Sequence, residues 1–159
     1  SIALVHEILF HGEEGDQLDF AYYCENLLKI LTPATPQGSP IRIETELKSH
    51  PISPSAAGVL GLVITELVTN ASKHAFPESV DDPVIRVNFT ALTQSDDAGM
   101  MLTVSDNGLP LGEDPLSSRG GTLGMEILKT LTEQIGGRIT FTQGKAEKTF
   151  SIYLPLSAG

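Results

Sequence analysis

The chain has 159 residues, 40% hydrophobic and 19% charged, the size and composition of one globular domain with a substantial core. A formal net charge of −10 argues against a nucleic-acid or anionic-membrane surface. An anionic ligand would need a local device: a helix amino end, a lysine or a metal ion. The single cysteine, Cys24, excludes an internal disulfide. Neither a signal-peptide pattern nor an apolar run of transmembrane length is expected.

The chain opens at SIALVHEILF, without an initiator Met and already in helical pattern, as a piece of a longer protein would. Residues 1–11 read as the end of a helix. In LDFAYYCENLLKIL, Phe20, Tyr23, Cys24, Leu27, Leu28 and Leu31 share one helical face, with Asp19 as cap. TPATPQGSP is a loop, and IRIETEL alternates as a half-buried strand. Ser53 and Pro54 have the chemistry of an N-cap and first helical turn, opening a long helix. VIRVNFTAL and MMLTVSD read as strands. The stretch NGLPLGEDPLSSRGGT is too long for a tight turn, and such loops are usually functional. LGMEILKTLTEQIGG predicts a helix with Ile127, Leu128, Leu131 and Ile135 inward, stopped by Gly136 and Gly137. RITFTQGKAEKTFSIYLPL closes as a hairpin that pairs the Ile139/Phe141 strand with the Phe150/Ile152/Leu154 strand. Helices on one face of a mainly antiparallel sheet make an α/β two-layer sandwich, preceded here by an N-terminal helical segment.

Within the long helix, ITELVTNASKHAF sets Glu66, Asn70 and Lys73 within about 60° of one another. Leu60, Ile64, Leu67, Val68, Ala71 and Ala75 form a separate apolar face. The stripe is either solvated, with an Asn70–Lys73 contact, or a working surface; the flanking Val59, Leu62 and Val63 favour the second reading. Asp106 ends an apolar strand, where a sheet can open into a pocket. RGGTLG sets a Gly-rich bend before a helix, so that free N–H groups and the positive helix end can face a phosphate.

ELVTNASKHAF, SDNG and GGTLGMEIL, in that order, resemble the catalytic and ATP-binding domain of bacterial sensor histidine kinases, in the Bergerat-fold ATPase superfamily. The form of the first motif, and Thr before LGM, are most similar to a subgroup whose dimerisation helices differ from the commonest class. The resemblance implies a mixed sheet covered on one face by helices. It divides the chain into residues 1–33, the end of a dimerisation helix and a linking helix, and residues 34–159, the ATP-binding domain.

By this resemblance Asn70 is the magnesium ligand, and Glu66 holds a metal-bound water or acts as general base. Magnesium takes one or two protein oxygens and completes its shell with water and nucleotide phosphates. Lys73 would neutralise phosphate, and His74 would do the same or pack near the strand. Asp106 would accept the amino group of adenine, with Gly108 letting the ring approach. Gly120, Gly121, Leu123 and Gly124 would form the phosphate bend, to which Thr122 adds a hydroxyl. Thr149 matches a Thr beside the adenine, although the Gly that precedes it in the family is Lys148 here.

A second departure lies at Asp106-Asn-Gly-Leu-Pro110, where the family reads Asp-x-Gly-x-Gly. Either Pro110 replaces the second glycine, or two residues are missing; in both cases the lid hinge should differ. The resemblance implies ATP and magnesium as ligands, and phosphoryl transfer to a His that neither His6 nor His11 supplies. It also implies a response regulator and the dimerisation domain of a full-length kinase as partners, no nucleic-acid or membrane contact, and a cytoplasmic setting. The fragment alone would be monomeric or weakly associated. Two alternatives stand beside this: a degenerate, partner-binding phosphotransferase-like domain, and an anti-sigma-factor serine kinase.

Overall fold

The computed structural model describes residues 17–92, 98–117 and 119–155. The helix expected over residues 1–11 lies outside them, as do His6 and His11. The described elements are β1 (Leu18–Asp19), α1 (Phe20–Leu31), β2 (Arg42–Leu47), β3 (Pro51–Ile52), α2 (Pro54–His74), β4 (Val84–Leu92), β5 (Gly99–Asp106), α3 (Leu123–Gln134), β6 (Arg138–Gln143) and β7 (Lys148–Pro155). Five strands form one open sheet in the order β2-β4-β5-β7-β6. Only β2 and β4 run parallel; the other pairs are antiparallel, so the sheet is mixed and mainly antiparallel. β1 and β3 pair separately as a two-stranded ribbon, which the sequence reading did not anticipate.

Side-chain oxygens start each helix by taking an orphan first-turn N–H. Asp19 Oδ2 accepts from Tyr22 N at 3.3 Å, while its Oδ1 takes the Ser49 hydroxyl and the His50 N–H, tying α1 to the turn before β3. Ser53 Oγ accepts from Ala56 N, and Thr122 Oγ1 from Met125 N. α3 stops where the Gly137 N–H returns to Thr132 O and Gly136 takes a φ of 83°.

The core lies between the helices and one sheet face. Phe20, Tyr23, Cys24 and Leu27 of α1 join Leu60, Val63, Ile64 and Leu67 of α2 over Ile85, Val87 and Phe89 of β4. Phe20 and Phe89 meet with ring centroids 4.6 Å apart. Burial pushes the Cys24 thiol up to about 12, so this cysteine packs as an apolar group rather than reacting. The opposite side of the sheet carries exposed ion pairs, Arg42 with Glu44 and Asp82, and Arg86 with Glu44 and Glu147. Exposed pairs of this kind contribute little to stability.

Two expectations need correction. Ile127 does not face inward. The buried face of α3 is Met125, Leu128 and Thr132, at offsets of three and four, with Leu131 and Ile135 half-buried at its edge. Ile127 falls on the far side of that helix and stays 49% exposed, one turn from Leu123. Secondly, among the described residues α2 alone has the length and apolarity of a membrane span. It is a core helix of this protein, and its stripe of Glu66, Asn70 and Lys73 breaks its apolar surface on one side.

Candidate functional site

Strand register builds the floor of the site. On the helix-facing side, Phe89, Leu102, Ile152 and Ile139 form one row across the sheet. Val87, Val104, Phe150 and Phe141 form the next. One step further along, the row reads Ile85, Asp106, Lys148 and Gln143. The apolar face thus turns polar at one end, where β5 finishes and β7 begins. Asp106 and Lys148 are both buried there, with Lys148 Nζ 3.3 Å from Asp106 Oδ1.

Above this row a cavity of about 890 Å³ opens between α2, the sheet end and the loop that leads to α3. Glu66, Asn70 and His74 line it from α2; Asp106, Lys148 and Phe150 line it from the sheet. Leu109, Pro110, Arg119, Gly120, Thr122, Leu123 and Gly124 line it from the loop and the first turn of α3. Most of the residues singled out in the sequence therefore share one cavity.

Local contacts set these positions. Gly108 lies against the end of α2: a Cβ there would come within 2.4 Å of Ala75 O, and the next N–H, of Leu109, donates to that same carbonyl. Gly124 brings α3 against α2 so closely that a Cβ would lie 2.6 Å from Glu66 Oε1. The Asn70 amide N–H donates to Glu66 Oε1 at 3.4 Å, which leaves Asn70 Oδ1 without a partner among the described residues. Beyond Leu109, Leu111 and the Gln143 side chain exchange two hydrogen bonds of 2.7 and 3.0 Å. The Lys148 ammonium donates to Leu109 O. The start of the loop is therefore clamped to the sheet edge by β6 and β7.

Burial raises the Asp106 carboxyl above its usual range, against the opposing pull of Lys148 and of the Gly108 N–H, which donates to Oδ1 at 2.9 Å. Glu66 and Asn70 present one carboxylate and one amide oxygen a single helical turn apart. That set suits a magnesium ion, which takes one or two protein oxygens and fills its shell from water and phosphate. Among the described residues, no cluster of three or more His, Cys, Asp or Glu would hold a metal without such help.

Several expected residues lie elsewhere. Lys73 is exposed and does not line the cavity. Thr149 pairs with Ser105 and Thr142, so strand alternation turns it to the sheet face opposite Asp106, and Lys148 occupies the cavity in its place. The N–H groups of Gly120 and Gly121 do not point free: they donate to Ser117 Oγ and Ser117 O. The open donors are one turn later, at Leu123 and Gly124, whose N–H groups have no acceptor among the described residues. Thr122 Oγ1 accepts as helix cap and keeps its own hydrogen to donate. Arg119, which the sequence reading passed over as a loop residue, lines the cavity and forms no ion pair among the described residues.

The family model described as "Histidine kinase-, DNA gyrase B-, and HSP90-like ATPase" matches residues 56–158. Over 117 residues the chain is 26% identical to blue-light-activated histidine kinase 2 of Erythrobacter litoralis, covering 74% of this chain and 33% of that protein. It is 30% identical over 131 residues to the sensor histidine kinase PdtaS of Mycobacterium tuberculosis, covering 82% of this chain and 25% of that one. The chain thus spans a quarter to a third of the length of these curated relatives. Among solved structures, the histidine kinase domain of an Erythrobacter litoralis blue-light activated histidine kinase superposes with a TM-score of 0.71 at 21% identity, over 98% of this chain and 70% of that one. At that identity the superposition establishes the fold.

Proposed function

The chain belongs to the histidine kinase-, DNA gyrase B- and HSP90-like ATPase family, and from that premise we propose that it is the ATP-binding catalytic domain of a two-component sensor histidine kinase, which passes the γ-phosphoryl group of ATP to a histidine. One observation carries this reading: Glu66, Asn70, Asp106 and the amino end of α3, distant in sequence, converge on a single cavity large enough for a nucleotide. Its relatives' names, sensor histidine kinase and blue-light-activated histidine kinase, point the same way.

In this reading Asp106 accepts the base amine at the sheet end of the cavity. The phosphates lie toward α3, where the Leu123 and Gly124 N–H groups, the Thr122 hydroxyl and Arg119 meet developing negative charge. Asn70 Oδ1, and Glu66 through water, would hold magnesium, which supplies charge neutralisation on the phosphates when bound. Glu66 alternatively takes the proton of the attacking group, and His74 stands at the same wall. The residues chiefly position and neutralise, which is most of what phosphoryl transfer asks of a protein. The division at residues 33 and 34, a response regulator and dimerisation domain as partners, and a cytoplasmic setting belong to the same proposal.

The test is isothermal titration of ATP with and without magnesium. Saturable binding that magnesium strengthens supports the reading. No detectable binding at millimolar ATP with magnesium present would end it.

A further inference from the structure

A lysine is almost never as buried as Lys148, which keeps 5% of its surface, unless it is paired. Its ammonium has three N–H donors. One side faces Asp106 Oδ1 at 3.3 Å and another donates to Leu109 O. The third donor has no acceptor among the described residues, and the residue lines the cavity. Asp106 is arranged in a matching way. Its Oδ1 takes Lys148 and the Gly108 N–H, while Oδ2 has no partner among the described residues. Among the described residues no fully buried side-chain oxygen or nitrogen is left unsatisfied, so the unpartnered Oδ2 keeps some exposure, and Asp106 lines the cavity.

The sheet end of the cavity therefore offers one acceptor and one donor side by side. Positions 6 and 1 of a purine ring present the complementary pair in either of two orders. Adenine has an amine at position 6 and an acceptor at N1; guanine has a carbonyl at position 6 and an N–H at N1. A carboxylate alone welcomes the adenine amine and repels the guanine carbonyl. An ammonium beside it removes that repulsion, and Leu109 and Phe150 supply apolar surface for either ring.

Resting on the reading of this cavity as a nucleotide site, we propose that Lys148 is a specificity-determining residue which, paired with Asp106, lets the site accept guanine as well as adenine nucleotides. With adenine, Asp106 takes the amine and Lys148 donates to N1. With guanine, Lys148 donates to O6 and Asp106 takes the N1 hydrogen. Thr149, the neighbouring hydroxyl, lies on the opposite sheet face.

The experiment is isothermal titration of the whole chain with ATP and with GTP, each with magnesium, for the wild type, Lys148→Met and Lys148→Arg. The wild type should bind GTP within about tenfold of ATP. Lys148→Met, which keeps the stem and loses the donor, should raise the GTP dissociation constant roughly 5- to 100-fold more than that of ATP, the usual discrimination of one paired donor and acceptor. Lys148→Arg should bring GTP back toward the wild-type ratio. A wild type that prefers ATP by more than about 100-fold, or a ratio unmoved in Lys148→Met, overturns the proposal. The wild-type ratio decides even if Lys148→Met fails to fold. ATP binding without GTP binding defeats this inference alone; binding of neither defeats the reading of the site as well.

Discussion

The two halves of α2 obey different rules. Its amino half, from Ala56 to Ile64, is almost sealed: Ala56, Ala57, Leu60, Val63 and Ile64 are buried against α1 and the sheet. Its carboxyl half keeps that apolar line through Leu67 and Val68, yet exposes Glu66, Asn70 and His74 to the cavity. The same helix thus anchors the core and forms a wall of the site. Stability should be concentrated in the first half and ligand chemistry in the second, so substitutions in each should separate the two properties.

The largest expected effect is in the sealed half. Leu60→Ala should lose about 2–5 kcal/mol of folding stability by leaving a cavity among close-packed side chains. Urea denaturation measures it, and a loss below about 1 kcal/mol would mean the core repacks freely there. Nucleotide affinity of the folded fraction should hardly change.

Asp106→Asn should weaken ATP binding by about 1.5–3 kcal/mol, the worth of a hydrogen bond to a charged group. Equal affinity in the variant would reduce Asp106 to a turn residue. The same substitution probes stability through pH. Because burial raises its folded pKa above the usual 3.8, Asp106 binds its proton more tightly folded than unfolded. It therefore favours folding most at pH below its unfolded pKa, and that contribution is lost as pH rises through the raised folded value. Asp106→Asn should flatten the profile of stability against pH across that window.

Gly124→Ala sharpens the contrast most finely. The new Cβ would press on Glu66 Oε1, the movable end of a side chain, so stability should change by less than about 1 kcal/mol. Glu66 would be displaced from its wall, and the phosphoryl transfer proposed for the longer protein should fall while melting does not. A variant that transfers as well as wild type would deny Glu66 a role.

What could be read from the chain divides along similar lines. The caps at Asp19 and Ser53, the apolar face of α2 and the hairpin of the Ile139/Phe141 strand with the Phe150/Ile152/Leu154 strand are local patterns of type and spacing, and they appear as expected. Ile127 misled because an amphipathic helix with apolar residues on several sides does not declare which one faces inward. The polar row of Asp106, Lys148 and Gln143 exists only once β5, β7 and β6 are in register, and no stretch of sequence contains it. For the same reason the sequence pointed to Thr149, and strand alternation instead puts Lys148, one residue away, at the cavity. Arg119 carried no spacing signal; only the path of the loop brings it to the cavity.

The division of α2 into anchor and wall is tested most directly at Asn70. Its Oδ1 has no partner among the described residues, and its side chain contributes little to the core. Isothermal titration of Asn70→Ala with ATP and magnesium, beside its thermal melt, gives both halves of the answer. The expected result is a melting temperature within a few degrees of wild type, corresponding to about 1 kcal/mol or less, with magnesium-dependent ATP binding lost. Binding of magnesium and ATP as tight as in wild type would contradict the assignment of Glu66, Asn70 and His74 as the wall of a nucleotide site.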